Sequence, residues 1–541
     1  MSAVYRAQAG AAGAQPARAE LMQRLSQAGA RDVVVIGGGA TGLGVALDAA
    51  ARGLSVALVE AEDFAKGTSS RATKLAHGGV RYLAQGNLKL VREALRERSI
   101  LMRNAPHLVQ PLPFVLPLYG ARGRRFDKWL YGAGLVLYDL LAGKAGHGRT
   151  EFLDAAAALE RVKGLQGRDL AGAIHYWDGQ FDDARLALAL ARTAIARGAI
   201  VLNHCAAIGL VHEGERIGGV LVEDRETKQR RELKTRCVIN ATGVWVDAIR
   251  RMDRAVSSDL VSPSQGVHLV VDREFLPGDH AILVPKTKDG RVLFAIPWLG
   301  KTLLGTTDTP RSDLAAEPEP FYEEVEFILG EAARYLARAP SRNDIRSVWV
   351  GLRPLVKPQH EAGDHTKTLS REHTVRVERS GLVSVTGGKW TTYRAMAEDV
   401  LECAIAHGLL PARAAGATKS LRLVGAPPAG SHPLSDPPGL HLYGTEAPLV
   451  QNLPGAQREL TPGLTEAMVR FAVRNEYART VEDVLARRSR CLFLDARLAK
   501  SIAARVAALL HEELGERFDA AKSLQSFTAL ADQYCRLPQR E

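Results

Sequence analysis

The sequence predicts an α/β protein with three parts: a Rossmann-like dinucleotide-binding domain, an α+β substrate domain with an antiparallel sheet, and a C-terminal α-helical domain. The first part begins with a β-branched apolar run at 33–36, which is followed at once by glycines and a helical stretch. Residues 266–309 alternate short apolar runs with turns, as antiparallel strands do. Residues 465–527 have helical periodicity and few glycines.

Turn residues and shifts in composition divide the 541-residue chain, which is long enough for two or three domains. Pro and Gly are concentrated between 411 and 462, which predicts a linker or an extended crossover. We expect a flexible N-terminal tail at 1–30 with a short helical stretch near its end, a discontinuous dinucleotide-binding domain at 31–105, 170–250 and 350–410, a substrate domain at 106–169 and 251–349, the linker at 411–462, and the helical domain at 463–541.

The composition, with 46% hydrophobic and 24% charged residues, is that of a soluble globular protein. The formal net charge of +11 suits nucleic acid, anionic lipid or a phosphorylated substrate, although a solvated basic surface gives the same value. No two of the five cysteines form a CxxC pair, which argues against a metal cluster and favours a reducing, cytosolic compartment. We predict no metal site, no signal peptide and, because no apolar run reaches about 18 residues, no transmembrane helix.

The turn after the first strand carries a GxGxxG fingerprint at Gly37, Gly39 and Gly42, and Ala40 and Thr41 open the helix that follows. Gly37 permits a tight turn, Gly39 leaves room for a pyrophosphate, and Gly42 lets the helix pack closely on the strand. The free N–H groups and the dipole at the helix N-terminus favour the phosphates. The position of the fingerprint between a strand and a helix therefore predicts a dinucleotide site.

Glu60 ends the second strand, where its carboxylate can accept hydrogen bonds from both ribose hydroxyls and would repel a 2′-phosphate. NADP is therefore disfavoured. The strand from Cys237 to Ala241 runs into Thr242-Gly243, a turn that resembles the one near the FAD of two-dinucleotide-type flavoproteins. We expect FAD as the cofactor, with Gly243 beside it.

Three further segments resemble FAD-dependent glycerol-3-phosphate dehydrogenases of the aerobic, quinone-linked type. They are the run from Asp63 to Leu83, the sequence Gly-Leu-Arg-Pro-Leu at 351–355, and the sequence Gly-Gly-Lys-Trp-Thr-Thr-Tyr-Arg at 387–394. Similar segments follow the family's order from about residue 31 to about residue 510. Trp390 stands where the family commonly has an aliphatic residue.

The resemblance implies a two-dinucleotide-type FAD-binding fold and a set of cofactor residues. Ser69 and Ser70 would bind the diphosphate region, while Lys74 and the run from His77 to Gly79 would lie close to the flavin. The residues expected at the cofactor are Gly37, Gly39, Ala40, Thr41, Gly42, Glu60, Thr68, Ser69, Ser70, Lys74, His77, Gly78, Gly79, Gly243, Gly388, Lys389 and Thr391.

A phosphorylated substrate needs a fixed cationic anchor, and guanidinium groups match phosphate oxygens. Arg81, Arg353 and Arg371 lie in matching motifs and are the expected anchors, although any one of them alone reads equally well as a surface ion pair. Tyr82 and Thr391 would orient the substrate.

The catalytic candidates are His268, Lys389 and Arg353. His268 is the candidate base because the ordinary pKa of histidine lies near neutrality, with a structural role on its strand as the alternative. Lys389 follows two glycines, where its ammonium would favour the anionic reduced flavin; the alternative is a solvent-exposed turn lysine.

The resemblance implies oxidation of sn-glycerol 3-phosphate to dihydroxyacetone phosphate in glycerol metabolism, by hydride transfer to FAD, with electrons passed to a quinone. One alternative is an oxygen-reducing glycerophosphate or amino-acid oxidase on the same scaffold. Another is a flavin-carrying RNA-modifying protein, which the basic charge permits. Only one short patch interleaves aromatic and basic residues, so we expect no nucleic-acid partner.

The resemblance also implies a cytoplasmic enzyme that associates peripherally with the inner face of the cytoplasmic membrane, and a homodimer is allowed. Basic and aromatic residues at 122–131 precede an apolar stretch at 135–141, a combination that suits an anionic membrane surface. The alternative is a helix packed in the substrate domain with a solvated basic end. Asp139 interrupts the apolar stretch and argues against deep insertion.

Overall fold

The computed structural model describes residues 15–27, 29–79, 87–120, 128–143, 146–254, 258–287, 290–357, 373–428 and 432–540, and for 128–130 it describes the backbone alone. The strands are, in chain order, β1 (Arg31–Ile36), β2 (Val56–Val59), β3 (Leu75–Ala76), β4 (Val109–Tyr119), β5 (Glu151–Leu153), β6 (Leu170–Phe181), β7 (Ile200–Leu202), β8 (Cys205–Glu213), β9 (Arg216–Asp224), β10 (Arg230–Asn240), β11 (Val261–Asp272), β12 (Ala281–Val284), β13 (Leu293–Trp298), β14 (Lys301–Gly305), β15 (Thr309–Pro310), β16 (Ser347–Val356), β17 (His373–Val377), β18 (Val383–Gly387), β19 (Glu459–Thr461) and β20 (Leu464–Thr465).

The α-helices are α1 (Arg18–Gln27), α2 (Ala40–Ala51), α3 (Leu88–Asn104), α4 (Lys128–Ala142), α5 (Ala155–Arg161), α6 (Asp183–Ala196), α7 (Val246–Asp253), α8 (Tyr322–Tyr335), α9 (Tyr393–Ala406), α10 (Ala447–Gln451), α11 (Glu466–Glu476), α12 (Cys491–Leu494), α13 (Ala496–Leu514) and α14 (Ala520–Cys535). None of the helices in the described ranges combines the length and the apolarity needed to cross a bilayer.

The first sheet, sheet A, is the dinucleotide-binding sheet that the sequence predicts. Its strand order is β17-β18-β10-β1-β2-β7, and the five strands from β18 to β7 run parallel. The last four residues of β1 are buried. Residues of α2, α6 and α9 share one hydrophobic core with the sheet, which explains the uniformly apolar β1. The predicted strand–helix–strand unit β1-α2-β2 is therefore confirmed.

The second sheet, sheet B, contains the predicted antiparallel region. Its strand order is β15-β11-β14-β13-β12-β4-β6-β3, with β16 beside β11 and β5 beside β6. Among the registers of this sheet, β12 with β4 is parallel and the other pairs are antiparallel. Residues of α5 and α8 share a core with one face of the sheet, and residues of the C-terminal helices share a core with the other.

Two expected domain boundaries are corrected by the strand pairing. The strand β6 was expected in the dinucleotide-binding domain from residue 170, but it pairs with β4 from Phe181↔Val109 to Leu170↔Tyr119. The strand β16 pairs with β11 along its whole length, so residues 350–356 also belong to sheet B. Both strands are apolar enough for either sheet, and the hydrogen-bonded ladder decides the assignment.

The expected flexible tail is corrected for residues 15–27, because α1 packs on the dinucleotide-binding domain. Leu21 and Leu25 are buried in the same core as sheet A. Arg18 donates to Asp224 at 3.0 Å. The helical stretch predicted near the end of the tail is confirmed. Residues 1–14 lie outside the described residues.

The C-terminal helical domain predicted from periodicity is confirmed as α11 to α14. The preceding segment, expected as a linker at 411–462, contains α10 and β19 in its described part. Its residues Leu434, Leu442 and Tyr443 are buried in the core that the helical domain shares with sheet B. This segment is therefore packed against the protein and is not an extended linker between domains.

Candidate active site

The predicted cofactor residues meet at one edge of sheet A, namely the edge formed by the carboxyl ends of its parallel strands. The parallel strands β1, β2, β10 and β18 end at Ile36, Val59, Asn240 and Gly387, and the predicted residues follow directly after each end. Ligands of open parallel α/β sheets bind outside the carboxyl ends of the strands. The topology therefore brings the glycine fingerprint, Glu60, the Gly243 turn and the Gly388-Lys389 turn together.

Gly37 and Gly42 have the tight turn and the close packing that the sequence predicts, whereas the role of Gly39 toward a pyrophosphate stays a prediction. Gly37 has φ +110°, and a Cβ there would lie 2.7 Å from the carbonyl oxygen of Ala241. A Cβ at Gly42 would lie 2.0 Å from the carbonyl oxygen of Gly37, so α2 can pack this closely only on glycine. A Cβ at Gly39 would lie 3.0 Å from Ser69 Oγ and would narrow the space at the helix N-terminus. Ala40 and Thr41 form the first turn of α2.

Glu60 lies beside the glycine turn. Its carboxylate accepts hydrogen bonds from the backbone N–H of Gly38 at 2.6 Å and of Glu62 at 2.8 Å. Burial raises the pKa of Glu60, while these two hydrogen bonds oppose the rise. The carboxylate is therefore fixed at the end of β2, where a ribose of a bound dinucleotide would meet it.

The segment 68–70 joins the two domains and lies over the glycine turn. Thr68 donates its hydroxyl to the carbonyl of Leu352 in sheet B at 2.6 Å. Ser69 Oγ accepts from the backbone N–H of Ala40 at 2.9 Å. Ser70 Oγ is buried and has no hydrogen-bond partner among the described residues. A buried hydroxyl without a partner is costly in a folded protein, and a phosphate oxygen would satisfy it.

The turn after β18 requires glycine at two positions. Gly387 and Gly388 have φ +80° and +76°, and a Cβ at Gly388 would lie 2.5 Å from the sulfur of Met396. The chain then passes through half-buried Lys389 into a short 3-10 helix at Trp390–Thr392 and into α9. This geometry points a helix N-terminus at the same edge of sheet A, as expected for a group that receives negative charge.

Trp390, the departure from the family pattern, ties two cofactor motifs together. Its indole Nε1 donates to the carbonyl of Ser69 at 2.8 Å. Thr391 is buried, and its hydroxyl donates to the carbonyl of His77 at 3.4 Å. Thr386 similarly donates to the carbonyl of Gly243 at 3.3 Å. The motifs are therefore linked by direct hydrogen bonds and not only by their place in the chain.

Residues 68–79 are called the cofactor segment here, and His268 faces this segment from sheet B. Its ring stacks on Trp349, the neighbouring residue on β16, and a Cβ at Gly305 on β14 would lie 2.5 Å from the ring. Its Nε2 is 3.0 Å from the hydroxyl of Thr73. Its Nδ1 is buried and unpaired within the described part of the chain. Burial lowers the pKa of His268 well below its ordinary value, and Lys74 and Arg353 lower it further, so the imidazole is neutral.

Arg353 lies on the same face of sheet B as His268. Its guanidinium donates to the carbonyl of Thr307 at 2.9 Å and to the hydroxyl of Thr306 at 3.1 Å, and it pairs with Asp308 at 3.1 Å. A Cβ at Gly266 would lie 2.3 Å from Arg353 Nη2, so this glycine makes the room for the guanidinium. The side chain is 24% exposed, which leaves it accessible to a small anion.

Lys74, which the resemblance places close to the flavin, has its side chain inside the protein. Its ammonium is fully buried, donating to the carbonyl of Ser70 at 2.8 Å and to Asp183 at 2.7 Å. The rings of Trp298, Trp349 and Phe493 surround it. Burial lowers the pKa of Lys74 to about 7, against the opposing effect of Asp183. The ammonium is therefore engaged inside the protein, and a cofactor contact by Lys74 is left to its backbone.

The run from His77 to Gly79 is tied to the substrate domain. The backbone N–H of Gly78 donates to the hydroxyl of Tyr138 at 2.9 Å and to Asp178 at 3.2 Å. Gly79 has φ +79°, a conformation that favours glycine. Residues 80–86, which follow, lie outside the described residues. Arg81 and Tyr82 are among them, and Arg371 also lies outside the described residues.

These residues fit FAD. The glycine turn leaves space for a diphosphate, the unpaired Ser70 hydroxyl points to an acceptor, and Glu60 is fixed beside the turn. The helix N-terminus at Lys389 lies at the same edge of the sheet as the other motifs.

Comparison with known proteins agrees with this geometry. Residues 32–399 match the family described as FAD dependent oxidoreductase, and residues 439–521 match the C-terminal domain of alpha-glycerophosphate oxidase. A probable mitochondrial glycerol-3-phosphate dehydrogenase of Caenorhabditis elegans is 40% identical over 93% of this chain and 73% of that protein. A mitochondrial glycerol-3-phosphate dehydrogenase of Arabidopsis thaliana is 39% identical over 91% of this chain and 84% of its own length.

A solved structure is similar along almost the whole chain. It is the FAD complex of a glycerol-3-phosphate dehydrogenase from Bacillus halodurans, with a TM-score of 0.77 and 29% identity over 97% of this chain and 99% of that one. The chain belongs to the FAD-dependent glycerol-3-phosphate dehydrogenases. Its fold is the FAD-dependent oxidoreductase fold with a helical C-terminal domain, and its cofactor is FAD.

Sequence reasoning missed several residues that shape the site of this FAD-dependent dehydrogenase. Thr73 bonds to His268, Trp349 stacks on it, and Gly266 makes room for Arg353. A signal for Gly266 was available, because it lies two residues before His268 on one face of a strand. The contacts of Thr73 and Trp349 depend on the packing of sheet B against the cofactor segment, which no local pattern reveals.

Asp63, His204 and Asp483 lie close enough together to be considered as metal ligands. The carboxylate of Asp63, however, accepts hydrogen bonds from Arg487 and Arg488, and Asp483 accepts from His204 at 2.9 Å. The guanidinium groups already balance the carboxylates. This cluster is therefore an ion-pair network between the FAD-binding domain and the helical domain, and we assign no metal to it.

Proposed function

We propose that the enzyme oxidises sn-glycerol 3-phosphate to dihydroxyacetone phosphate and passes the electrons to a quinone. The observation that carries this proposal is the common face of sheet B on which Arg353 and His268 lie. His268 contacts the cofactor segment through Thr73. On β16, Gly351 lies between Arg353 and Trp349, the partner of His268, and packs against Arg71 of the same segment. A phosphate on Arg353 would thereby hold the neighbouring carbinol between His268 and the cofactor edge.

Arg353 would bind the substrate phosphate. Asp308 and the carbonyl of Thr307 hold its guanidinium in one orientation, so little conformational freedom is lost on binding. Arg81 and Arg371 are proposed as further anchors, with Tyr82 and Thr391 orienting the substrate. The net charge of +11 would favour the approach of a dianionic substrate.

His268 would accept the proton of the substrate hydroxyl. Its lowered pKa keeps the imidazole neutral, so one ring nitrogen is a hydrogen-bond acceptor at working pH. The stack on Trp349 and the hydrogen bond with Thr73 fix the plane of the ring. The unpaired Nδ1 is the position on the ring that is not already engaged by the described residues.

FAD supplies the hydride acceptor of the reaction. The Gly388-Lys389 turn would stabilise the charge that this transfer delivers, since half-buried Lys389 directly precedes a helix N-terminus with its backbone N–H groups. The glycine fingerprint, Glu60 and Ser70 would hold the cofactor, as their geometry allows.

Peripheral contact with the inner face of the cytoplasmic membrane, where quinone dissolves, is supported by α4. Its buried side, including Leu135 and Tyr138, packs within the protein. Val136, Leu137 and Leu140 on its other side are 51%, 38% and 76% exposed. An amphipathic helix with such an uncovered apolar side suits the boundary between headgroups and acyl chains. The alternative of a fully packed helix does not account for Leu140.

A basic cavity beside α4 gives further support. It has a volume of about 310 Å³, and the cationic residues that line it are Arg92, Arg96, Arg103 and Lys419. Leu141 and Ala142 of α4 complete its wall. Cations next to an apolar surface match an anionic phospholipid headgroup above its acyl chains. A homodimer stays a prediction.

Anaerobic mixing of the purified holoenzyme with sn-glycerol 3-phosphate tests the reaction. The flavin absorbance should bleach with this compound and not with glycerol or lactate. Failure to bleach would contradict the proposed substrate. A soluble quinone analogue should then restore the oxidised spectrum faster than oxygen does. Stoichiometric hydrogen peroxide without a quinone would assign the oxidase reaction instead, and salt-sensitive retention of RNA on a filter would revive the RNA-modifying reading.

A further inference from the structure

The helical domain inserts one side chain, Arg490, into the cofactor segment of the FAD-binding domain. Arg490 has φ +65° and precedes α12. Its side chain is fully buried, and its guanidinium lies over the ring of Phe493 at 4.2 Å from the centroid. Within the helical domain the guanidinium also donates to the carbonyl of Ala486 at 3.0 Å.

Arg490 Nη2 reaches two acceptors of the FAD-binding domain. One is the carbonyl oxygen of Ser70 at 2.9 Å, and the other is Asp183 Oδ1 at 3.1 Å. Lys74 donates to the same Ser70 carbonyl at 2.8 Å and to Asp183 Oδ2 at 2.7 Å. Arg490 and Lys74 therefore both donate to the Ser70 carbonyl and to the Asp183 carboxylate.

The Ser70 carbonyl belongs to the cofactor segment, and Asp183 binds the same segment. Asp183 Oδ2 also accepts from the backbone N–H of Ala72 at 3.0 Å. The backbone from Ser70 to Lys74 is therefore held at Ser70, at Ala72 and at Lys74, all through one buried cluster. Ser70 bears the buried hydroxyl that has no partner among the described residues, and Thr73 bears the hydroxyl that meets His268.

The cluster is closed to solvent and nearly balanced in charge. Lys74, Asp182, Asp183 and Arg490 all have fully buried side chains. Removal of one cation from such a cluster leaves a carboxylate and a carbonyl without a full set of donors, which is unfavourable in a medium of low dielectric constant. The backbone that carries those acceptors would move to recover hydrogen bonds.

We propose that Arg490 is a positioning residue for FAD. It acts through the Ser70 carbonyl and Asp183, and it holds the Ser70 hydroxyl and the Thr73–His268 contact where the diphosphate and the substrate meet them. The helical domain thus contributes to the FAD site although Arg490 itself touches neither the cofactor nor the substrate.

FAD binding to the full-length protein tests this role, because it needs no assumption about the substrate. Reversible removal of FAD followed by titration gives its dissociation constant for the wild-type enzyme and for R490K and R490M. Arg185→Met is the matched control. Arg185 is another buried arginine between the same two domains, but it bonds to Glu476 and to the carbonyl of Arg488 instead of the cofactor segment.

R490M should weaken FAD binding by about tenfold or more, as expected for the loss of charged hydrogen bonds. It should also shift the visible flavin spectrum and lower kcat more than it raises KM. R490K should recover part of the affinity, since an ammonium keeps the charge but lacks the planar set of donors of a guanidinium. Arg185→Met should lower thermal stability without changing FAD affinity. Equal loss of affinity in R490M and R185M, or unchanged affinity in R490M, would overturn the proposal.

Discussion

The ring of His268 lies on the indole of Trp349, with centroids 4.2 Å apart and planes inclined by 19°. The two residues are direct partners on the antiparallel strands β11 and β16. On the other side of β11, Gly305 leaves the space that the ring needs. The position of the His268 ring is thus set by the Trp349 indole on one side and by the space that Gly305 leaves on the other.

The hydrogen bond between Thr73 and His268 should matter for the chemical step. Thr73→Val keeps the shape of the side chain and removes the hydroxyl, so the ring loses one of its two restraints. We expect kcat to fall by about tenfold with little change in KM. Steady-state kinetics measure both constants. Thr73→Ser should restore kcat, and a Thr73→Val enzyme as active as the wild type would remove the role given to this contact.

Arg353 should determine substrate affinity. Arg353→Ala is expected to raise KM about a hundredfold while FAD stays bound, because a charged, forked contact with phosphate is lost. Gly266→Ala should act in the same direction, since its Cβ would lie 2.3 Å from Arg353 Nη2. Kinetics together with the flavin absorbance of the purified variants test both. Loss of FAD from the Arg353→Ala enzyme would assign Arg353 to the cofactor site instead.

Gly42→Ala should abolish FAD binding. The added Cβ would lie 2.0 Å from the carbonyl oxygen of Gly37, so α2 must move away from the turn that accommodates the diphosphate. Gly330→Ala is the control, because a Cβ at Gly330 on α8 meets nothing within 4 Å. Flavin content per protein, measured by absorbance, should be near zero for the first variant and unchanged for the second. A yellow Gly42→Ala protein would contradict the packing described for α2.

The uncovered side of α4 should govern membrane association. Leu140→Glu places a charge at the most exposed apolar position and should weaken binding to vesicles that contain anionic phospholipid by about tenfold. Activity with a soluble electron acceptor should not change. Leu449→Glu, at a 41% exposed leucine of α10, is the control and should bind vesicles normally. Co-sedimentation with the vesicles measures both variants, and equal binding would argue against α4 as the contact.

His107 should make the fold sensitive to acid. Burial lowers the pKa of His107 to about 3 from an ordinary value of 6.5, with Arg185 and Arg192 adding to the effect. The unfolded chain therefore binds a proton below pH 6.5 that the folded chain does not, and stability falls as the pH falls. At about pH 5 the loss is about 2 kcal/mol for this residue.

Urea unfolding of the wild-type protein and of His107→Gln at several pH values tests this expectation. The variant should lose less stability than the wild type between about pH 7 and about pH 5. Parallel curves for the two proteins would show that His107 is not the residue that takes up the proton.

The local parts of the fold were predictable. The strand–helix–strand unit, the antiparallel runs and the helical domain each follow from periodicity and from turn residues within short stretches. The boundaries at 170 and 350 were not, because β6 and β16 are mostly buried on both faces and only their partners β4 and β11 assign them to sheet B. The N-terminal helix was expected in a flexible tail for the same reason, since Leu21 and Leu25 are buried by a core that later residues form.

The site was predictable where a motif states the required geometry. The positive φ at Gly37, Gly387 and Gly388 follows from glycine in a known type of turn. The location of the Lys74 ammonium was not predictable, because its partners Asp183 and Phe493 are 109 and 419 positions away along the chain. The sequence gives no signal for such distant contacts, although they decide which charged groups are available to a ligand.

The salt bridges from Asp63 to Arg487 and Arg488 couple the unfolding of the two domains that they join. Asp63 is fully buried, and its acceptor atoms are taken up by two guanidinium groups located more than 400 positions downstream. Detachment of the helical domain would leave that carboxylate buried without its counter-charges. The nucleotide-binding half and the carboxyl-terminal helices should consequently melt in a single cooperative transition, and a chain cut short before α11 should be recovered as insoluble protein.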